Sequence, residues 1–92
     1  MPEPIFMYGA THCGDTIRVR RTLQSMSIPF GDVNIDHDSE AESFVLYING
    51  GHRSTPTIVI GEGKWKLVVT EPNSQEVNEM LQRAGYLNSN AP

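Results

Sequence analysis

The stretch Ile5-Phe6-Met7-Tyr8-Gly9-Ala10-Thr11-His12-Cys13-Gly14-Asp15-Thr16 changes character at its centre, and that change decides the fold. Ile5 to Tyr8 is an apolar run bounded by Pro4 and Gly9, of strand length and too short for a helix. From Gly14 to Ser27 the side chains Thr16, Val19, Leu23 and Met26 recur near the helical period, with Arg18, Arg21 and Ser25 elsewhere. A strand, a short loop and a helix are therefore predicted, with Cys13 at the first turn of the helix.

Working outward, Ile28-Pro29 ends that helix, because proline lacks the amide donor and pushes its predecessor towards extended geometry. A second strand is expected from about Phe30 to Ile35, with Phe30, Val33 and Ile35 as its apolar members. Ser39 and Glu42 then stand at capping-box spacing before Ala41, Phe44, Val45 and Ile48, which predicts a second helix ended by Asn49-Gly50-Gly51. Thr57 to Ile60 and Trp65 to Val69 flank Gly61-Glu62-Gly63-Lys64 and predict a β-hairpin. Pro72, the Asn73/Glu76 pair and the stripe Val77, Met80, Leu81, Ala84 before Gly85 announce a third helix. The order is βαβαββα, an α/β class in which a right-handed βαβ unit and a hairpin build a four-stranded mixed sheet flanked by three helices. Residues 1–87 are expected to form the domain and residues 88–92 a frayed C-terminal tail.

Composition narrows the functions that fit. The 92 residues suffice for one core and not for two ordinary domains. A net charge of -4 argues against a surface built to neutralise phosphates, so no nucleic-acid partner is expected. Arg18, Arg20 and Arg21 form a local basic cluster with two readings, a solvated helix face or a rise in potential beside an anionic thiol partner. No apolar stretch approaches the ~20 residues of a membrane span and no leader-like segment stands at the start, so a cytoplasmic chain with no membrane partner is expected. A lone cysteine has no internal partner, and any disulfide must join Cys13 to another molecule.

At a helix start, unpaired N–H groups and the positive end of the helix dipole face the Cys13 sulfur and favour its thiolate, the nucleophile of disulfide exchange. The competing reading is a free cysteine serving as a small buried hydrophobe.

Three segments together resemble the glutaredoxin family of the thioredoxin-like superfamily, and in particular its actinobacterial mycoredoxin-like branch. Tyr8 to Thr16 is similar to the family's active-site loop, Arg53-Ser54-Thr55-Pro56-Thr57 to its cis-proline segment, and Thr70-Glu71-Pro72-Asn73-Ser74 to its turn into the last helix. The resemblance implies a thiol-disulfide oxidoreductase in which Pro56 is cis and the backbone at Thr55 binds the thiol or substrate as a short strand. Dithiol members carry a second cysteine three residues after the first, where this chain has Thr16, so a monothiol route on mixed disulfides is implied. In that route a low-molecular-weight thiol, such as glutathione, mycothiol or bacillithiol, is the co-substrate of a monomeric enzyme acting on disulfide-bearing proteins.

Other residues then acquire candidate roles. Thr16 is placed either to donate a hydrogen bond to the Cys13 sulfur or to bond back into its own helix. His12 is either a charge favouring the thiolate or a surface histidine. Glutathione-using members often carry a lysine or arginine in the loop before the cysteine; Ala10 and Thr11 stand there instead, which leaves the small thiol open. Arg53 is then either a carboxylate anchor or a solvated side chain. Asn73 and Ser74 can hold an anionic group through helix N-terminal amides, and Asn73 can equally serve as an N-cap. His37 and His52 lack metal-ligand spacing and no metal site is expected; Asp36, Asp38, Glu40 and Glu42 read as a solvated loop and helix cap. The competing functions are an iron–sulfur carrier, because Cys13-Gly14 begins like the Cys-Gly-Phe-Ser loop of cluster-bridging monothiol glutaredoxins, and a redox-silent binding module on the same fold.

Overall fold

In the computed structural model, which describes residues 2–64 and 66–87, the chain runs β1 (Ile5–Gly9), α1 (Gly14–Ser25), β2 (Gly31–Asn34), a 3-10 turn (Ile35–His37), α2 (Ser39–Ile48), β3 (Thr57–Ile60), β4 (Leu67–Thr70) and α3 (Ser74–Ala84). The strands form one sheet in the order β2-β1-β3-β4. β1 and β2 are parallel, whereas β3 is antiparallel to both β1 and β4. This is the expected mixed four-stranded sheet with three helices. Trp65 and the expected tail, residues 88–92, lie outside the described residues.

The two-residue alternation of β1 divides the core. Ile5 and Met7 join Val19 and Leu23 of α1, Ile58 and Ile60 of β3, and Val77, Met80 and Leu81 of α3 in one cluster. On the other face, Tyr8 and Val33 pack with Ile35, Ala41, Phe44 and Val45 under α2. Every residue of β3 is buried, as befits a central strand covered on both faces. Each fully buried Leu, Ile or Met contributes roughly 1.5–3 kcal/mol of transfer free energy, so these two clusters fix where the connecting loops emerge.

Several boundaries differ from the sequence reading: β1 runs on to Gly9, and β4 is Leu67–Thr70 where Trp65 to Val69 was expected. Helix α1 stops at Ser25 rather than Ser27, because Ser27 turns to a φ of 56° and the Ile28 amide closes onto the Leu23 carbonyl. β2 is shorter than Phe30 to Ile35: the Asn34 side chain accepts the Asp36 amide and starts the 3-10 turn, carrying buried Ile35 out of the strand. The N-cap of α2 is Asp38, whose carboxylate accepts the Ala41 amide, while Ser39 is already helical. The capping box of α3 forms as expected: Asn73 Oδ1 accepts the Glu76 amide at 2.8 Å and Glu76 Oε1 accepts the Asn73 amide at 2.9 Å.

Candidate active site

Cys13 is the N-cap of α1, extended at φ -106° and ψ 114°, and its carbonyl accepts the Ile17 amide that opens the helix. No side chain caps this end, so the sulfur stands where a capping oxygen would. The thiol is partly exposed and donates to the Thr55 carbonyl at 3.4 Å, across 42 residues of chain. Partial burial pushes its pKa up, but hydrogen bonds from the side chains of Thr16 and Thr55 and from the Thr16 and Asp15 amides outweigh that effect and hold it below the ordinary thiol value.

Thr16 lies one turn into α1 with no exposed surface. Its Oγ1 accepts the Ala10 amide at 3.3 Å, which ties the loop before Cys13 to the helix after it. Its methyl group sits so close to β1 that a Cβ at Gly9 would fall 2.3 Å from Thr16 Cγ2. His12 is exposed beside Cys13.

The opposing wall is residues 53–56. The Thr55–Pro56 peptide is cis and Pro56 is buried. Thr57 Oγ1 donates to the Ser54 carbonyl at 2.8 Å and accepts Asn49 Nδ2 at 3.0 Å, while Asn49 Oδ1 accepts Thr70 Oγ1 at 2.8 Å. Asn49, read from sequence only as part of a helix stop, therefore anchors the proline loop to α2 and β4. The Pro56 carbonyl accepts the Glu71 amide at 2.8 Å, and Arg18 Nη2 donates to the Pro72 carbonyl at 2.6 Å. These two bonds bring the turn before α3, with Asn73 and exposed Ser74 at the helix start, against both Pro56 and α1. The basic cluster separates accordingly: Arg18 serves that turn, Arg20 pairs with Asp32 of β2 at 2.8 Å, and Arg21 is exposed.

Arg53 is neither a vacant anchor nor a merely solvated side chain. Its Nε donates to Glu42 Oε2 at 2.7 Å and its Nη2 to Asp36 Oδ1. Asp36 Oδ2 also accepts the Thr11 amide at 2.9 Å, and Asn34 Nδ2 donates to Thr11 Oγ1 at 2.9 Å. The Thr11 amide, followed by the Arg53 guanidinium, lowers the Asp36 pKa to about 2. Asp36 and Glu42, expected only to solvate a loop and cap a helix, instead hold Arg53 beside the segment leading to Cys13. Sequence separations of 17 and 11 carry no local signal for such pairing. Among the described residues no group of three or more His, Cys, Asp or Glu side chains is placed to hold a metal ion.

A partly exposed thiol with a lowered pKa at a helix start, facing a backbone carbonyl beside a cis-proline, is equipped for thiol–disulfide exchange. Comparison with known proteins agrees. Residues 5–65 match the Glutaredoxin family model. Two curated relatives from strains of Mycobacterium tuberculosis, both glutaredoxins by description, are each 32% identical over 75 residues, covering 82% of this chain and 86% of theirs. Among solved structures, the holo form of glutaredoxin C1 from Populus tremula x tremuloides superposes with a TM-score of 0.59 at 23% identity, over 87% of this chain and 75% of that one. Mitochondrial thioredoxin 3 from Saccharomyces cerevisiae superposes with a TM-score of 0.51 at 15% identity, over 94% of this chain and 79% of that one, a likeness of fold alone. The chain belongs to the glutaredoxin family of thiol–disulfide oxidoreductases, with Cys13 its single cysteine.

Proposed function

We propose that this chain reduces mixed disulfides between proteins and a low-molecular-weight thiol by a monothiol route. The observation that carries the reading is the Cys13 sulfur at the N-cap of α1, with its pKa held down and the Thr55 carbonyl 3.4 Å away. The Cys13 thiolate attacks the small-thiol sulfur of the mixed disulfide; a Cys13–small-thiol disulfide forms, and the protein thiolate leaves and takes up a proton. A second small-thiol thiolate then attacks that adduct, releasing the oxidised small-thiol dimer and restoring Cys13. With Thr16 in the place of a second thiol, the second step is intermolecular.

In this reading Thr16 donates to the reacting sulfur and His12 flanks it. The backbone at Thr55 and Pro56, together with Asn73 and Ser74 at the start of α3, forms the wall against which the small thiol lies. Arg53 stands at its edge, already engaged. The chain acts as a monomer in the cytoplasm, where small thiols keep such exchange running. The test offers glutathione, mycothiol and bacillithiol mixed disulfides of one peptide to the wild type and to Cys13→Ser. Turnover of at least one substrate, abolished by Cys13→Ser, is expected; inactivity of the wild type with all three overturns the reading.

A further inference from the structure

Two carboxylates from different elements converge on one guanidinium beside the loop that leads to Cys13. Asp36 comes from the 3-10 turn after β2 and Glu42 from α2, while Arg53 lies two residues before the carbonyl that meets the thiol. Arg53 and both carboxylates keep 30–41% of their side-chain surface exposed, so solvent and small molecules reach the cluster. Its formal charge is one positive against two negative, and no lysine or arginine stands between Gly9 and Cys13 to offset the difference.

We propose that Asp36 and Glu42 form an anionic latch on Arg53 that sets the Cys13 site against small thiols bearing free carboxylates and in favour of uncharged ones. The inference rests on the mixed-disulfide reading given above and names the class of thiol that reading leaves open. A guanidinium recognises a carboxylate through its planar fork of N–H donors. Here the Nε edge is taken by Glu42 and an Nη2 donor by Asp36. An incoming carboxylate must displace one of these partners or approach a cluster that already carries excess negative charge. A neutral thiol meets neither obstacle. Glu42 and Asp36 are thereby specificity-determining residues that need not touch the reacting atoms.

The two carboxylates separate experimentally. Asp36 also holds the Thr11 amide, so its loss perturbs the Cys13 loop, whereas Glu42 has Arg53 as its side-chain partner. Glu42→Gln is therefore the primary variant, because it keeps the side-chain shape and removes one charge. The probes are N-acetylglutathione and its diethyl ester, which share a backbone and differ in free carboxylates, two in the first and none in the uncharged second. Each protein is equilibrated with equal concentrations of both thiols and their disulfides, and the two Cys13 adducts are counted by intact mass spectrometry. In this exchange the Cys13 thiolate attacks a small-molecule disulfide, the Cys13–S bond to one half forms, and the other half leaves as thiolate.

The ester adduct is expected to predominate in the wild type. Glu42→Gln is expected to shift the ratio towards the free-acid adduct about fivefold, the order of one exposed charge pair, and Arg53→Ala in the Glu42→Gln background to abolish the shift. An unchanged ratio in Glu42→Gln, with an unchanged unfolding midpoint, overturns the latch. So does a selective loss of the free-acid adduct in Arg53→Ala alone, since Arg53 would then already be serving as an anchor. The readout is adduct equilibrium rather than turnover, so a failure of the mixed-disulfide reading appears separately, as wild-type protein that forms both adducts yet turns over no protein mixed disulfide.

Discussion

Replacing Gly9 by alanine tests whether Thr16 is locked in place. The new Cβ would lie 2.3 Å from Thr16 Cγ2 and 3.0 Å from its Oγ1. Thr16 has little means of escape: it is β-branched, fully buried, and held through Oγ1 by the Ala10 amide. Overpacking of this kind costs about 2 kcal/mol. Alanine recovers roughly 0.7 kcal/mol through its lower unfolded-state entropy, since Gly9 is in a strand and its φ is outside the left-handed region. A net loss of about 1 kcal/mol remains, a fall in Tm of about 4–8 °C for a domain of this size. Thr16→Ser alone removes one buried methyl group and also costs about 1 kcal/mol. In the double variant the added and removed methyl groups occupy the same space, so stability should return to within about 0.5 kcal/mol of wild type, a favourable coupling of about 1.5 kcal/mol. Thermal and guanidinium unfolding of the four proteins, followed by circular dichroism, measures the cycle. An unaffected Gly9→Ala, or additive losses in the double variant, would refute the packing argument.

Two further outcomes are expected. Thr16→Val keeps the side-chain shape and removes the hydroxyl, so the Cys13 pKa should rise towards about 8.5, the ordinary thiol value; the pH dependence of iodoacetamide alkylation reports it, and an unmoved pKa would mean that the hydroxyl does not support the thiolate. Asp36 has its folded pKa lowered from 3.8 to about 2, so its stabilising contribution is present above the ordinary carboxylate range and is lost as pH falls through about 2. Urea midpoints measured from about pH 6 down to pH 2 should fall less steeply in Asp36→Asn than in wild type, and parallel curves would contradict the assignment.

What sequence could show follows from the range of the interactions involved. Period and punctuation are local, so Ile5 to Gly9, the helix after Cys13 and the Asn73/Glu76 box were readable from neighbouring residues. The misplaced end of β2 had a local cause too, but Asn34 was not recognised as a cap for the Asp36 amide. The site divides in the same way. Cys13 at a helix start was legible, whereas the bond that Thr16 accepts from the Ala10 amide, beside the two roles weighed for its hydroxyl, depends on how β1 meets α1. The Arg53 pairings with Asp36 and Glu42, and the Asn49 link between Thr57 and Thr70, exist only once the chain has folded.

The hydrogen bonds around the Cys13 site span much of the chain: 42 residues separate Cys13 from Thr55 and 54 separate Arg18 from Pro72. During synthesis Cys13 therefore leaves the ribosome together with Asp15 and Thr16 but well before Thr55, the one distant group that holds down its pKa. A nascent chain carries the thiol without its Thr55 partner, and without the α3 residues of the cluster on which α1 packs, until Thr55 and then Val77 to Leu81 have emerged. Truncation before α3 removes Val77, Met80 and Leu81 from the cluster on which Val19 and Leu23 pack, so it should loosen the helix start that faces the Cys13 sulfur.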